Sequence, residues 1–284
     1  MLVGSVGSVC KSAMVADMVT RIVLGVEYNG REFCGWQTQP QGGSVQQALE
    51  RALTRVAGHP VMTVTAGRTD SGVHAIGQVV HFDSHSTRPM TAWVRGTNSF
   101  LPLSMAVRWA HGVDETFHAR YSAQSRSYRY ILHCHPARPG LEHGRIGWYH
   151  GNLDIASMQR AAQALQGEHD FSAFRAAECQ ARSPVRHLQY AQVRQAGEQV
   201  IFEFTANAFL HHMVRNLVGS LLWIGQARRS EVWLSELLHV RQRSQAGPTA
   251  AAAGLYLCHV EYAAVWGLPN GTFCWTGEYS DARV

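Results

Sequence analysis

Lysine is almost missing from this chain: of its 25 basic residues only Lys11 is one. Arginine therefore carries the positive charge. Its planar fork suits phosphates and base edges, but a GC-rich genome gives the same bias and is the simpler account. The six cysteines, at 10, 34, 134, 179, 258 and 274, are scattered and form no C-x-x-C pair, which argues against a zinc ribbon and a disulfide framework. No apolar run approaches the ~18 residues of a membrane span, and the N-terminus lacks the basic start and continuous apolar core of a signal peptide. A cytoplasmic protein with no membrane partner is expected. Walker A and dinucleotide glycine fingerprints are also missing, so no nucleotide cofactor is called for. Sixteen histidines invite a metal reading, above all His211-His212 and His133-Cys134-His135. Yet no H-E-x-x-H appears, and adjacent histidines on a helix diverge by about 100°, so no metal is expected.

What is present is a globular composition: 284 residues, 46% hydrophobic, with a formal charge of +5 and a pI near 9.0. A polyanionic partner fits that balance without being demanded by it. Residues 1–20 mix glycine, serine and valine without periodicity and are expected to be a disordered tail. Order begins with the strand Arg21 to Tyr28, which runs into Asn29-Gly30 as a turn. Ser44 and Gln47 have capping-box spacing, and Val45, Leu49, Ala52, Leu53 and Val56 follow at helical spacing until Gly58. Val61–Val64 and Gly77–Phe82 read as strands, 91–98 as a weaker helix, and Met105–Ala110 as a strand. A second unit opens near Tyr121 with the strand Tyr128–Leu132 and a helix that Asp154 can cap. A hairpin through Ala196-Gly197-Glu198, helices over 213–226 and 230–241, and the strand Leu255–Tyr262 complete it. The expected fold is α+β: two similar halves, 21–118 and 119–268, each a largely antiparallel sheet with helices on one face, then a tail over 269–284.

Between the first pair of strands lies Thr65-Ala66-Gly67-Arg68-Thr69-Asp70-Ser71-Gly72-Val73-His74-Ala75. A loop fixed by strands at both ends can aim a side chain, and its glycines allow close approach to the backbone. Read alone, Thr69-Asp70-Ser71-Gly72 is also what an ordinary turn uses. A second stretch, Ala206-Asn207-Ala208-Phe209-Leu210-His211-His212-Met213-Val214-Arg215-Asn216, puts Arg215 in the first turn of an unusually apolar helix. There the helix dipole disfavours a cation by a few tenths to ~1 kcal/mol, and burial adds to that, so Arg215 needs an anionic partner unless it snorkels to solvent. A third stretch, Arg126-Ser127-Tyr128-Arg129-Tyr130, puts basic and aromatic residues on one strand. Tyr128 and Tyr130 share a face, a pattern that suits either bases and phosphates or plain core packing.

The Ala66-to-Ala75 loop resembles the signature loop of the TruA family of tRNA pseudouridine synthases. Phe33-Cys34-Gly35-Trp36-Gln37, the Tyr128 strand, the Arg215 helix and Gly247-Pro248-Thr249 to Leu255 resemble further motifs of that family in the same order. The likeness runs roughly from Arg21 to Leu268. It implies a pseudouridine synthase fold with the active-site cleft between the two halves. It implies Asp70 as the catalytic nucleophile, Arg215 as its ion-pair partner, Tyr128 stacked on the target uracil, Arg68 holding the flipped nucleotide, and Leu255 packed against the base. Many members have a proline where Ala251 stands. The family's activity is isomerisation of uridine to pseudouridine in tRNA at positions 38, 39 and 40 of the anticodon stem-loop, by homodimers without a cofactor.

Two other readings are separable. A non-catalytic RNA-binding protein or chaperone would keep basic and aromatic residues but has no use for an acid at Asp70. A metal-dependent hydrolase built on Asp70 and the histidines would lose activity in EDTA.

Overall fold

The computed structural model describes residues 19–269; the expected tails fall almost wholly outside that range. The chain runs β1 (Thr20–Tyr28), α1 (Val45–Ala57), β2 (Val64–Thr65), β3 (His74–Ser84), α2 (Met90–Asn98), β4 (Met105–Val113) and β5 (Ala123–Cys134). It continues through β6 (Gly147–Tyr149), α3 (Ile155–Gln163), β7 (Gly167–Asp170), β8 (Val185–Ala196), β9 (Gln199–Ala206), α4 (Met213–Gly225), α5 (Glu231–Val240) and β10 (Leu255–Tyr262). None of these helices is long and apolar enough to cross a membrane.

The expected pair of antiparallel sheets is present, fused edge to edge. Strand order is β4-β1-β3-β10-β5-β9-β8-β7 in one ten-stranded sheet, with β2 on β3 and β6 on β5 as side pairs. On one side of the seam β4, β1 and β3 are antiparallel; on the other, β10, β5, β9, β8 and β7 are. The seam is a short parallel pairing, Tyr256 opposite His74 and Leu257 opposite Ala75. Gly77 lets the backbones close there, because a Cβ on it would lie 2.1 Å from the Cys258 carbonyl oxygen. Buried His74 reinforces the seam. Its Nδ1 accepts from the Gly30 amide at 3.0 Å, its Nε2 donates to the Ala253 carbonyl at 3.1 Å, and its ring stacks on Tyr256.

Side-chain alternation along the strands sorts the two faces. Leu257 joins Leu24, Leu49, Leu53 and Trp93 in a core under α1 and α2. Tyr130 and Leu255 join Phe202, Phe204, Leu217 and Leu221 in a second core under α3, α4 and α5. Tyr128 touches both. Ile131 and Tyr256 have the opposite parity and pack instead with Ile146 and Ile76 on the far face. The helices thus lie on one face, in two groups that part above Tyr128.

Several local expectations are corrected. Of the first apolar run only Val64 is in a strand, the two-residue β2 it forms with Thr65; Met62 is exposed, and Thr63 is drawn instead to Glu50 of α1, to which its amide and hydroxyl both donate. The later strand begins at His74, inside the signature loop. Ser44 Oγ accepts from the Gln47 amide, but the Gln47 side chain accepts from Gly43 and leaves the capping box half made. The turn expected at Asn29-Gly30 is a single 3-10 turn, Gly30–Glu32, capped by Asn29. The β8–β9 hairpin is as expected: Ala196 pairs with Gln199 across a two-residue loop, with Gly197 at φ +58°.

Candidate active site

The Asp70 loop leaves β2 and returns as β3, and its backbone is fixed by groups from β1, β3 and the segment after β1. The Trp36 amide donates to the Thr69 carbonyl at 2.9 Å. Thr69 Oγ1 is 2.8 Å from the Tyr28 hydroxyl, whose burial pushes its pKa up to about 12 and keeps it a neutral hydrogen-bonding partner. Gln78 Nε2 donates to the Gly67 carbonyl at 2.8 Å. Gly72, at φ +78°, turns the chain, and the Val73 amide closes the turn on the Asp70 carbonyl at 3.1 Å. The side chain of Asp70 is left one-fifth exposed, at the parting of the two helical groups.

Facing it is the N-terminal turn of α4. Arg215 Nη1 donates to Asp70 Oδ2 at 3.1 Å, and Arg215 Nε donates to the Ala250 carbonyl at 2.8 Å. The arginine therefore has the anionic partner that its place in the first turn requires, and it does not snorkel. Asp70, arriving from the other half of the sheet, supplies the negative charge that the positive end of α4 otherwise lacks. The Ala250 amide returns a bond to the Arg215 carbonyl at 3.1 Å, tying the segment before β10 to the same turn. That segment lies almost in van der Waals overlap with α4: a Cβ on Gly219 would sit 1.7 Å from the Pro248 carbonyl oxygen. Arg243, Thr249 and Asn216 form a hydrogen-bonded triangle that fixes it further.

Two residues that the sequence did not assign to the site complete it. His211 Nε2 lies 3.2 Å from Asp70 Oδ1 and His212 Nε2 lies 3.3 Å from Asp70 Oδ2. The expectation that these imidazoles diverge is overturned, because neither lies within the helix. His212 is the residue before α4, at φ +60°, and His211 precedes it, so the chain turns both rings the same way, 4.0 Å apart. The left-handed conformation, uncommon for a residue with a side chain, is what the spacing could not reveal. His211 is anchored by its amide to Cys179 Sγ at 3.4 Å and by its carbonyl to the Ala176 amide at 3.0 Å. Burial pulls the pKa of His212 below the ordinary imidazole value, with the nearby Asp70 charge opposing that shift.

Tyr128 lies on the same side, edge-on to Phe209 with ring centroids 5.0 Å apart. Burial is the main cause that raises its phenol pKa, and the charge of Asp70 adds to it. Tyr130 is fully buried and belongs to the core. The arginines of this strand are not free for phosphate as the strand pattern suggested. Arg129 pairs with Glu203 on the next strand at 2.6 Å. Arg126, 8% exposed, donates to four main-chain carbonyls: Ala123 at 3.2 Å, Asn207 at 2.9 Å, Ala66 at 3.0 Å and Arg120 at 2.6 Å. It thereby ties together the segments that lead to Asp70, to Tyr128 and to the His211–Arg215 turn.

These groups open into one cleft of about 960 Å³. Arg68, exposed, and Leu255, buried at the start of β10, line it together with Asp70, Tyr128, Arg126, His211, His212 and Arg215. A cleft of this size admits a nucleotide drawn from a stack, with a carboxylate held by a guanidinium at its floor and aromatic and aliphatic walls beside it.

Comparison with known proteins gives the same direction. The family model described as tRNA pseudouridine synthase matches residues 25–122 and 161–263. The chain is 55% identical over 255 residues to "tRNA pseudouridine synthase A" of Thiobacillus denitrificans, covering 90% of this chain and 98% of that one. It is 56% identical over 250 residues to the protein of that name from Dechloromonas aromatica, covering 88% and 95%. To the one from Aromatoleum aromaticum it is 57% identical over 250 residues, again covering 88% and 95%.

Proposed function

Because the chain belongs to the tRNA pseudouridine synthase family, we propose that its activity, isomerisation of uridine to pseudouridine in tRNA, is carried by Asp70 acting as nucleophile or base. The observation that supports this reading most is the Asp70–Arg215 pair at the floor of the cleft. The reaction breaks the bond from N1 to C1′, turns the freed uracil, and joins C5 to C1′. C5 gives up its proton and N1 gains one, so atoms and charge balance without an oxidant, a reductant or an external group. One carboxylate suffices for that sequence, whether it attacks C1′ or C6 or takes a ribose proton, and no cofactor is called for.

The target base must first leave its stack. Tyr128 offers a face for it and Leu255 an apolar wall, which retain the uracil while it is free and keep water from the cleavage site. Arg68, exposed on the Asp70 loop at the cleft, is the residue that holds the flipped nucleotide in this reading. Arg215 neutralises the carboxylate's surroundings when RNA brings further negative charge. Uridines 38, 39 and 40 of the anticodon stem-loop are the proposed targets, and the proposed form is a cytoplasmic homodimer in which each protomer consists of the halves 21–118 and 119–268. An RNA-binding protein without chemistry would have no use for a carboxylate positioned in this way.

The test is release of tritium from C5 of uridine in tRNA. Wild-type protein should release it, and Asp70→Asn should stop release while tRNA binding stays measurable. Normal release by the Asn variant would overturn the assignment. Pseudouridine mapping of tRNA from cells lacking this gene should show losses at positions 38 to 40, and losses elsewhere alone would refute that address.

A further inference from the structure

The imidazoles of His211 and His212 and the Asp70 carboxylate offer three ligand atoms that all lie within 4.8 Å of one another. Each histidine Nε2 is 3.2 to 3.3 Å from a carboxylate oxygen. Ligand atoms around a tetrahedral zinc ion, bound at about 2.0 to 2.2 Å, are about 3.4 Å apart, close to both nitrogen-to-oxygen spacings, which reach one oxygen of Asp70 each. Two histidines and one carboxylate are a donor set that zinc takes, with a fourth position left for water or substrate. Here that position faces the cleft, since His211, His212 and Asp70 are all partly exposed there. The main chain of the pair is also held in advance, His211 through Cys179 and Ala176 and His212 by its backbone at φ +60°.

We infer that Asp70, His211 and His212 form a binding site for a zinc-type divalent cation whose occupancy withdraws Asp70 from catalysis and excludes the RNA. The site is inhibitory because its carboxylate is the reacting group; that consequence rests on the function proposed above, whereas the binding itself does not. Arg215 sets the limit on affinity. Its Nη1 is 3.1 Å from Asp70 Oδ2, so a cation must share the carboxylate with a guanidinium that repels it. Weak and reversible occupation follows, as suits an ion that competes with substrate rather than serving it.

Cobalt(II) is the probe, because a tetrahedral cobalt site absorbs visible light and zinc displaces the ion. The full-length protein at pH 7.5 should develop the tetrahedral bands and lose them on zinc addition. His212→Asn and Asp70→Asn should each weaken cobalt binding by about tenfold or more, with unchanged circular dichroism showing that they fold. Arg215→Gln is the opposite arm: removing the repelling charge should tighten binding by about tenfold or more. Zinc should slow tritium release by wild-type protein, in competition with tRNA and reversibly by EDTA. Equal cobalt binding by all variants would place the ion on other histidines and overturn the proposal, as would the lack of tetrahedral bands. Acceleration by zinc would overturn its inhibitory half. Tritium release by Asp70→Asn with the cobalt result intact would instead overturn the nucleophile assignment and leave the site standing.

Discussion

Arg126→Met removes a buried guanidinium while keeping an unbranched side chain of similar length, and it isolates how much the site depends on one structural cation. Four hydrogen bonds are lost, to the carbonyls of Ala66, Arg120, Ala123 and Asn207. Each is charge-assisted, but the gain in the fold is offset by the cost of burying the charge, and burial does oppose the ionised form of this arginine. Breaking such a network from one side costs about 3 to 5 kcal/mol, chiefly because the carbonyls lose their donors. For a chain of this size that is a fall in Tm of about 10 °C. Turnover should fall further than stability requires. Ala66 leads to Asp70, Ala123 opens the strand of Tyr128 and Asn207 leads to the His211–Arg215 turn, and a shift of about 1 Å at reacting groups can cost about a hundredfold. Arg126→Lys should lie between, because a compact ammonium with three donors cannot span four carbonyls. Differential scanning calorimetry and single-turnover tritium release at 20 °C, well below either Tm, read the two effects separately. A Tm shift under about 2 °C with normal turnover would refute the idea that Arg126 holds the three segments together.

Acid should destabilise the protein through His74 and His81, both of which burial lowers to about 4. Their neutral forms cost nothing above pH 6.5; as pH falls toward 4 the unfolded chain takes up protons that the fold refuses, so stability drops across that window by about 2 kcal/mol per histidine at pH 5. His81→Asn keeps an acceptor for the Ala119 amide and should remove one such share from the difference in urea midpoint between pH 7.5 and pH 5; an unchanged difference would contradict this. Gly219→Ala should cost about 3 kcal/mol, since its Cβ would fall 1.7 Å from the Pro248 carbonyl oxygen. It should also displace the Ala250 anchor of Arg215, so activity should fall more than the melting curve alone accounts for; a stable, fully active variant would disprove the close contact.

Most strands and helices were legible because their signal is local. Alternation marks β5 and β9, helical spacing and Ser44 mark α1, and Leu255–Tyr262 forms β10 with the expected bounds. Thr63 escaped because its β-branched side chain argues for a strand while Glu50, thirteen residues earlier, claims its amide. The β3–β10 seam was not legible at all: His74 and Tyr256 are far apart in sequence, and a pairing of two residue pairs leaves no periodic trace. At the site, the need of a first-turn arginine for an anionic partner was legible in the residues, but Asp70 as that partner came only from the likeness to the TruA family, since read alone its loop is also an ordinary turn. The histidines pose none in the sequence. Their convergence depends on α4 starting one residue after His212 and on a left-handed His212, neither of which composition or spacing encodes.

The central claim is that a single carboxylate kept in place by a guanidinium performs the exchange of glycosidic bonds. Arg215→Ala, measured under single-turnover conditions with tRNA in one assay and by direct tRNA binding in another, tests it most directly. Loss of a charged hydrogen bond to the reacting group and of the Ala250 anchor should slow the chemical step by about 100-fold or more, with RNA affinity changed only a few-fold. Near-normal chemistry in that variant, or a loss confined to RNA binding, would contradict the account.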